Sequence, residues 1–360
     1  MNIIIAHMKS KFAFIVHVRS SYRIDFRGFL PPLGLLPESF YRFALKNRPL
    51  PPFVWSEVRV TPGASEPEGY IIMVPYSGRQ LLEQQKLMLP RIKQAMNLAV
   101  AKGTKVVGLG AFISPVTLGG QLLAEDSRVA VTNGNAYTAV ITWKRVSDLI
   151  SRADDYVHNK PVVALVGATG SVGSLVAKLL AKHNGDAEYL LVARNQRKLK
   201  NLARDINKLN ENTIVTTSDN MSDVQQADIV VLLTSASDSL LQSEHLKYGA
   251  VVLDDTLPRN TNPELLVQRP DILIIDGGLV SVPHLKFTNG IGLPPGVSFA
   301  CLAETVLLAR SGHKGNFSIG NPTLEQAEFI SELANQSSDL GFNVAPDYSF
   351  GNRVPMKLSA

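Results

Sequence analysis

The chain has one cysteine in 360 residues, Cys301, which excludes an internal disulfide and any Cys-rich metal site. No other metal site is read, and the scarcity of thiols fits a reducing, cytoplasmic setting. No apolar run reaches the ~18 residues that a membrane-spanning helix needs. The apolar stretches near the start are interrupted by His7, Lys9, Lys11 and His17. No small-residue cleavage site follows a clean apolar segment, so no secretory signal is expected. Internal repeats, low-complexity tracts and basic runs of the nucleic-acid-reading kind are missing too, so nucleic acid is not an expected partner. With 45% hydrophobic and 19% charged residues, disorder and coiled coil do not describe the chain as a whole. At about 150 residues per domain, the length implies two domains.

Charge is present but uneven. The net value is +5, yet residues 1–50 hold eight Lys or Arg against Asp25 and Glu38, so the rest of the chain is close to neutral. Arg19, Arg23, Arg27, Arg42, Lys46 and Arg48 are interleaved with Phe26, Phe29, Phe40, Tyr41 and Phe43. Such a face suits peripheral contact with an anionic membrane surface or an acidic protein. It equally describes a solvated loop whose aromatics belong to the core.

From about residue 53 the pattern becomes regular. Val54–Val60 and Tyr70–Val74 read as strands, Leu81–Ala101 as a helix ended by Gly103, and Lys105–Leu109 as a strand. Helical periodicity returns from Asn135 to about Tyr156. The apolar run Pro161–Val166, followed by a glycine-rich turn and a helix, then opens a series of strands at Tyr189–Ala193, Ile229–Leu233, Val251–Asp254 and Ile272–Ile275. The fold class expected is therefore α/β with two domains. Residues 1–155 form a smaller N-terminal α/β substrate domain, and 156–300 a Rossmann-type doubly wound parallel sheet. Residues 301–360 form a helical return that starts at the cysteine and could pack on the first domain.

The turn Gly167-Ala-Thr-Gly170-Ser-Val-Gly173 sits between strand and helix, the context that dinucleotide binding requires. Gly167 would permit the tight turn, Gly170 the approach of a pyrophosphate and Gly173 close helix packing. Thr169, Ser171 and Val172 complete the candidate loop, with the phosphates at the helix N-terminus. At the end of the next strand an acidic residue would favour NAD. This chain has Arg194-Asn195 instead, and a guanidinium there can grip a 2′-phosphate with two charge-assisted bonds, so the expected cofactor is NADPH. Thr234 and Ser235, after a later strand, are candidates for the nicotinamide half.

Cys301 lies where a Pro/Gly loop gives way to a helical run, with Ser298 as the expected N-cap. The helix start would favour a thiolate. Lowering a thiol pKa from about 8.5 to about 7 takes roughly 2 kcal/mol, which a helix terminus and a nearby donor can supply. A solitary Cys in an apolar helix is also compatible with a small core residue. His313 and His284 are candidate proton donors. Glu304, one turn after Cys301, could orient a donor or form a salt bridge. Thr132, Asn133, Asn135 and Thr138 combine small polar groups with a helix start, as a substrate-lining segment or a simple cap would.

Gly108-Leu-Gly-Ala-Phe-Ile-Ser114, Val131-Thr-Asn-Gly-Asn-Ala-Tyr-Thr138, Val166-Gly-Ala-Thr-Gly-Ser-Val-Gly173, Ala193-Arg-Asn195, Asp276-Gly-Gly278, Phe299-Ala-Cys-Leu-Ala-Glu304 and Asn316-Phe-Ser-Ile-Gly320 follow one another in family order. Together they resemble the aldehyde-forming long-chain acyl–acyl carrier protein reductases. The resemblance implies that Cys301 is the acylated nucleophile and the glycine loop the NADPH site. It also implies an acyl carrier protein or CoA thioester as substrate, a fatty aldehyde as product, and an aldehyde-consuming enzyme as a partner. The basic region from about 19 to 52 and the tail after Asn343 depart from the family pattern. The wider group includes amino-acid and shikimate-type dehydrogenases. An NADP-dependent dehydrogenase without covalent catalysis is therefore the alternative enzyme, and a non-enzymatic NADP-binding regulatory protein the alternative of another class.

Overall fold

A computed structural model describes residues 8–18, 22, 23, 27, 31–47, 50–153, 160–236 and 240–354. Its contacts divide the chain into two units. One comprises residues 1–137, 280–321 and 328–343; the other comprises 138–279, 322–327 and 344–360. The boundaries expected at 155 and 300 differ from this division. The division falls inside the helix Asn135–Ala153, at 137/138, and the chain returns to the first unit at 280.

The first unit is built on a six-stranded sheet. Its strands are β1 (Lys11–Val18), β2 (Phe53–Arg59), β3 (Gly69–Ser77), β4 (Thr104–Leu109), β5 (Ala130–Thr132) and, from much later in the chain, a two-residue strand at Lys286–Phe287. The order is 286–287, β2, β3, β1, β4, β5. β3, β1, β4 and β5 run parallel, and β2 is antiparallel to β3. Alternate residues face opposite sides. Ala13, Ile15, Ile72, Val107 and Val131 therefore join one core with Ile92, Met96 and Ala99 of the helix Gln85–Ala101. The opposite face of β1 and β4 is covered by the helix Ala300–Ser311. That helix is buried nearly throughout, its apolar residues on all sides joined by the buried polar Glu304, Thr305 and Arg310.

The helix expected over Leu81–Ala101 is two helices, Gly78–Glu83 and Gln85–Ala101, because Gln84 leaves helical geometry at φ −124°. Ser77 caps the first in a reciprocal capping box with Gln80. β1 and β5 are strands beyond those expected from the sequence. In the basic N-terminal region, the side chains of Leu35 and Phe43 are 82% and 70% exposed. Arg19 and Arg48 lie outside the described residues, as do the side chains of Arg42 and Lys46.

The second unit has an all-parallel six-stranded sheet with β6 (Val162–Val166), β7 (Glu188–Val192), β8 (Ile214–Ser218), β9 (Ile229–Leu232), β10 (Val251–Asp254) and β11 (Leu273–Asp276). The order β11-β10-β9-β6-β7-β8 is the Rossmann arrangement of two mirrored halves meeting at the first strand. The expected α/β fold with a doubly wound parallel sheet is therefore the one observed. Helices Ser171–His183 and Gln196–Leu209 pack on each other and over β6 and β8. Among the described residues, no helix is long and apolar enough to cross a membrane.

Candidate active site

In the first unit the candidate nucleophile sits at the start of Ala300–Ser311. The N-cap is Phe299, in extended geometry and without a side-chain capping bond, so Cys301 is the second helical residue. Ser298, the expected cap, is fully buried in the preceding short strand and donates to Phe299 O at 3.1 Å. Cys301 is half-buried. With no side-chain bond at the cap, the helix start can turn its N–H groups to a developing oxyanion.

The turn after β5 is fitted directly onto this cysteine. Gly134 has φ +77°, and a methyl group there would lie 2.2 Å from Cys301 Cβ and 2.5 Å from its Cα. Position 134 therefore admits glycine alone. One turn further along the helix, Thr305 donates to Cys301 O at 3.0 Å and lies against Gly108 of β4.

Glu304 holds the turn in place. It is fully buried. Thr132 Oγ1 donates to its Oε1, and Tyr137 N donates to Oε2 at 2.7 Å. The N–H groups of Gly134 and Ala136 also donate to it. It thus caps the N-terminus of Asn135–Ala153 from a distant part of the chain, and burial pushes its pKa up to about 7 against the pull of these donors. Glu304 is expected either to orient a donor or to form a salt bridge, and among the described residues it forms no salt bridge. It is a positioning residue, because no face of it reaches solvent.

Asn133 is likewise structural. Its Nδ2 donates to Gly119 O at 3.2 Å and Gly320 O at 2.9 Å, and its Oδ1 accepts from Ser318 Oγ at 2.7 Å and Asn135 N at 3.0 Å. Thr132 and Asn133 are thus committed to buried partners, which removes them from the expected substrate lining. Asn135 and Thr138 are half-buried and keep surface to offer.

His313 does not belong to this site. It follows the left-handed Gly312 that ends the helix, whose last residue Ser311 is about 15 Å from Cys301 along the axis. There it packs against Phe317 and Phe329 at centroid distances of 5.4 and 5.8 Å, and burial lowers its pKa. The other histidine candidate, His284, is exposed in a loop.

In the second unit the glycine loop has the expected geometry. Gly167 adopts φ +89°, and a methyl at Gly173 would meet Gly167 O at 2.4 Å, so helix and loop touch through backbone. Gly170 caps Ser171–His183 without any side-chain acceptor, which leaves the helix start open to an anion. Thr169, Ser171 and Val172 are partly exposed along the loop. Arg194 is exposed beyond the end of β7. Asn195 caps the next helix, its Oδ1 accepting from Lys198 N at 2.9 Å, so its carbonyl oxygen is already engaged. Thr234, past β9, is held by Asn260 and accepts from Ala236 N at 3.1 Å, whereas Ser235 is exposed. These residues suit a dinucleotide: donors at a helix start for the pyrophosphate, and an exposed cation beside the second strand for a 2′-phosphate.

Sequence reasoning misses one group. Asp255 follows β10 and accepts from Thr142 Oγ1, and burial pushes its carboxyl up to about 7. Nothing in the pair Asp254-Asp255 tells which carboxylate is which.

The sequence model of the Shikimate / quinate 5-dehydrogenase family matches residues 148–274, which are largely the Rossmann unit. The chain is 29% identical over 356 residues to an aminotransferase, PigE, from a Serratia species, covering 96% of this chain and 41% of that protein. It therefore spans well under half the length of that relative. It is 27% identical over 259 residues to a long-chain acyl-[acyl-carrier-protein] reductase from Synechococcus elongatus, covering 68% of this chain and 73% of that protein. Among solved structures, it is similar to the D-arabinose dehydrogenase from Sulfolobus solfataricus, with a TM-score of 0.30 and 15% identity over 50% of this chain and 50% of that one. The family model thus falls on the part of the chain that carries the doubly wound parallel sheet.

Proposed function

We propose that the protein is an NADPH-dependent oxidoreductase that reduces an acyl thioester to an aldehyde through a thioester on Cys301. The observation that carries this reading is the half-buried Cys301 at an uncapped helix start, backed by a turn that only glycine can form. A packing cysteine would not call for such a turn, nor for a buried glutamate to anchor it. Likeness to the Synechococcus reductase supports the substrate class.

Each residue then has a task. The Cys301 thiolate attacks the thioester carbonyl, a new C–S bond forms as the bond to the carrier sulfur breaks, and the carrier leaves as a thiolate that takes its proton from water. The first-turn N–H groups stabilise the oxyanion. The Gly167–Gly173 loop and Arg194 would hold NADPH, which when bound would supply the hydride. After reduction the thiohemiacetal C–S bond breaks, releasing aldehyde and restoring Cys301. Acyl carrier protein and CoA are the two carriers to compare.

The deciding experiment is Cys301→Ser with acyl thioester and NADPH. Near-complete loss of aldehyde formation and of acyl labelling is expected. A modest change would favour the second reading, direct NADP-dependent dehydrogenation, which the dehydrogenase family match supports. NADPH binding without oxidation by any acyl thioester would indicate a regulatory protein.

A further inference from the structure

We propose that the turn Pro31–Leu35 and the helix Glu38–Asn47 form a docking face for an anionic lipid bilayer, with Leu35, Phe40 and Phe43 entering the headgroup–acyl boundary and Arg23 and Arg27 meeting lipid phosphates. Docking of this kind is independent of the chemistry at Cys301.

The segment is pinned from its inner side. Tyr22 is buried, its hydroxyl accepting from Ser77 N at 3.2 Å and donating to Gln80 Oε1, and its ring stacks on Tyr41 at a centroid distance of 5.5 Å. Tyr41, also buried, donates to Leu33 O. The two carboxyl oxygens of Glu38 accept the N–H groups of Tyr22 and Arg23. These bonds hold the segment to the carboxyl end of β3 and engage the one carboxylate that the helix carries.

What faces outward is apolar and cationic. Phe40 and Phe43 are exposed three residues apart, on one side of the helix, and Leu35 is exposed at the end of the preceding turn. Elsewhere, exposed large side chains such as Tyr248 and Val267 stand singly, which calls for no partner. Arg23 and Arg27 are exposed beside the same turn. Arg23 Nε donates to Gly34 O at 3.2 Å, and the Arg27 stem lies against Gly34, where a methyl would meet its Cβ at 2.8 Å. Such stems rest on apolar surface while the guanidinium reaches a phosphate. Basic residues outnumber acidic ones by eight to two over residues 1–50, and Glu38 is one of the two. Phenyl and leucyl groups flanked by arginine are what the boundary of an anionic bilayer takes up. A fluid bilayer accepts these three apolar side chains without the fitted recess that an acidic protein partner would need.

Position gives the docking a consequence. Ser77, bonded to Tyr22, ends β3, and Gly134, packed against Cys301, follows β5. β3, β1, β4 and β5 are parallel, so the segment's anchor and the thiol share the carboxyl edge of one sheet. The two strand ends are three strand spacings, roughly 14 Å, apart. A bilayer on this face lies close to the thiol-bearing edge, which on the reductase reading shortens the path of an acyl chain through water.

The test is co-sedimentation of the full-length protein with phosphatidylcholine vesicles made with or without phosphatidylglycerol. Binding to the anionic vesicles is expected, weakened about tenfold or more when salt is raised to about 0.5 M. Leu35→Ser combined with Phe43→Ser, at two exposed positions, should keep the wild-type unfolding midpoint yet bind at least about tenfold more weakly. Arg27→Gln should weaken binding about fivefold at low salt and hardly at all in high salt. In Phe43→Trp, anionic vesicles should move the indole emission to the blue as the ring enters an apolar medium. Absence of binding to anionic vesicles, binding unchanged by the double substitution, or an unmoved emission overturns the proposal. Salt-sensitive binding to soluble polyglutamate without binding to vesicles overturns it too and assigns the face to an acidic protein. Acylation of Cys301, measured without vesicles, tests the reductase reading separately.

Discussion

Gly134 and Cys301 are in backbone contact: the space a side chain at 134 would fill is occupied by Cys301 Cβ and Cα. The helix bearing the nucleophile and the turn after β5 are therefore fixed against each other by the lack of a single methyl group.

Gly134→Ala should displace the turn and strain a left-handed position. Loss of about 1–3 kcal/mol of stability is expected, together with a changed rate of Cys301 alkylation. Denaturant midpoints and iodoacetamide kinetics check both. An unchanged alkylation rate would uncouple turn from cysteine.

Glu304 gives a pH signature. Its folded pKa of about 7 lies above the ordinary value of 4.5, so between those values the folded state binds more protons than the unfolded chain. Its contribution to stability is then greatest below pH 4.5 and declines as pH rises towards 7. Urea unfolding at pH 5 and pH 7 should show this decline, and Glu304→Gln should flatten it.

His313 gives the opposite sign. Burial lowers its pKa below 6.5, so its contribution is present above 6.5 and is lost as pH falls from there through the lowered folded value. His313→Gln should remove this acid-side slope in unfolding curves while leaving acyl reduction within about threefold of wild type, because the ring lies past the opposite end of the helix from the thiol. A large fall in rate would contradict the aromatic-cluster assignment.

Arg194→Ala tests cofactor choice. Loss of a charge-assisted contact to the 2′-phosphate, about 1.5–3 kcal/mol, should weaken NADPH binding roughly 10- to 100-fold and leave NADH binding nearly unchanged. Fluorescence titration with both cofactors measures it. Equal weakening would place the contact elsewhere.

The Rossmann half was legible because its signals are local. Strand positions from Val162 to Asp276 fall within about one residue of the reading, apart from Ile214–Ser218, an edge strand with no buried face to reveal it. Cys301 at a helix start was legible for the same reason, although its cap was misplaced by one residue. Glu304 and Asn133 were not, since their partners lie 172 and 185 residues away and no spacing rule reaches so far. His313 attracted attention by closeness in sequence to the cysteine, yet the helix between them places the two at its opposite ends. Asp255 was invisible because its character depends on which face of β10 it meets and on Thr142 beyond.

Asn133 uses all four of its amide hydrogen-bonding directions on the 119, 135, 318 and 320 positions. The three segments that meet there consequently form a single heritable module: a chimera that swaps one of them from a divergent homologue would leave carbonyls facing carbonyls, whereas exchanging all three together would preserve the lock.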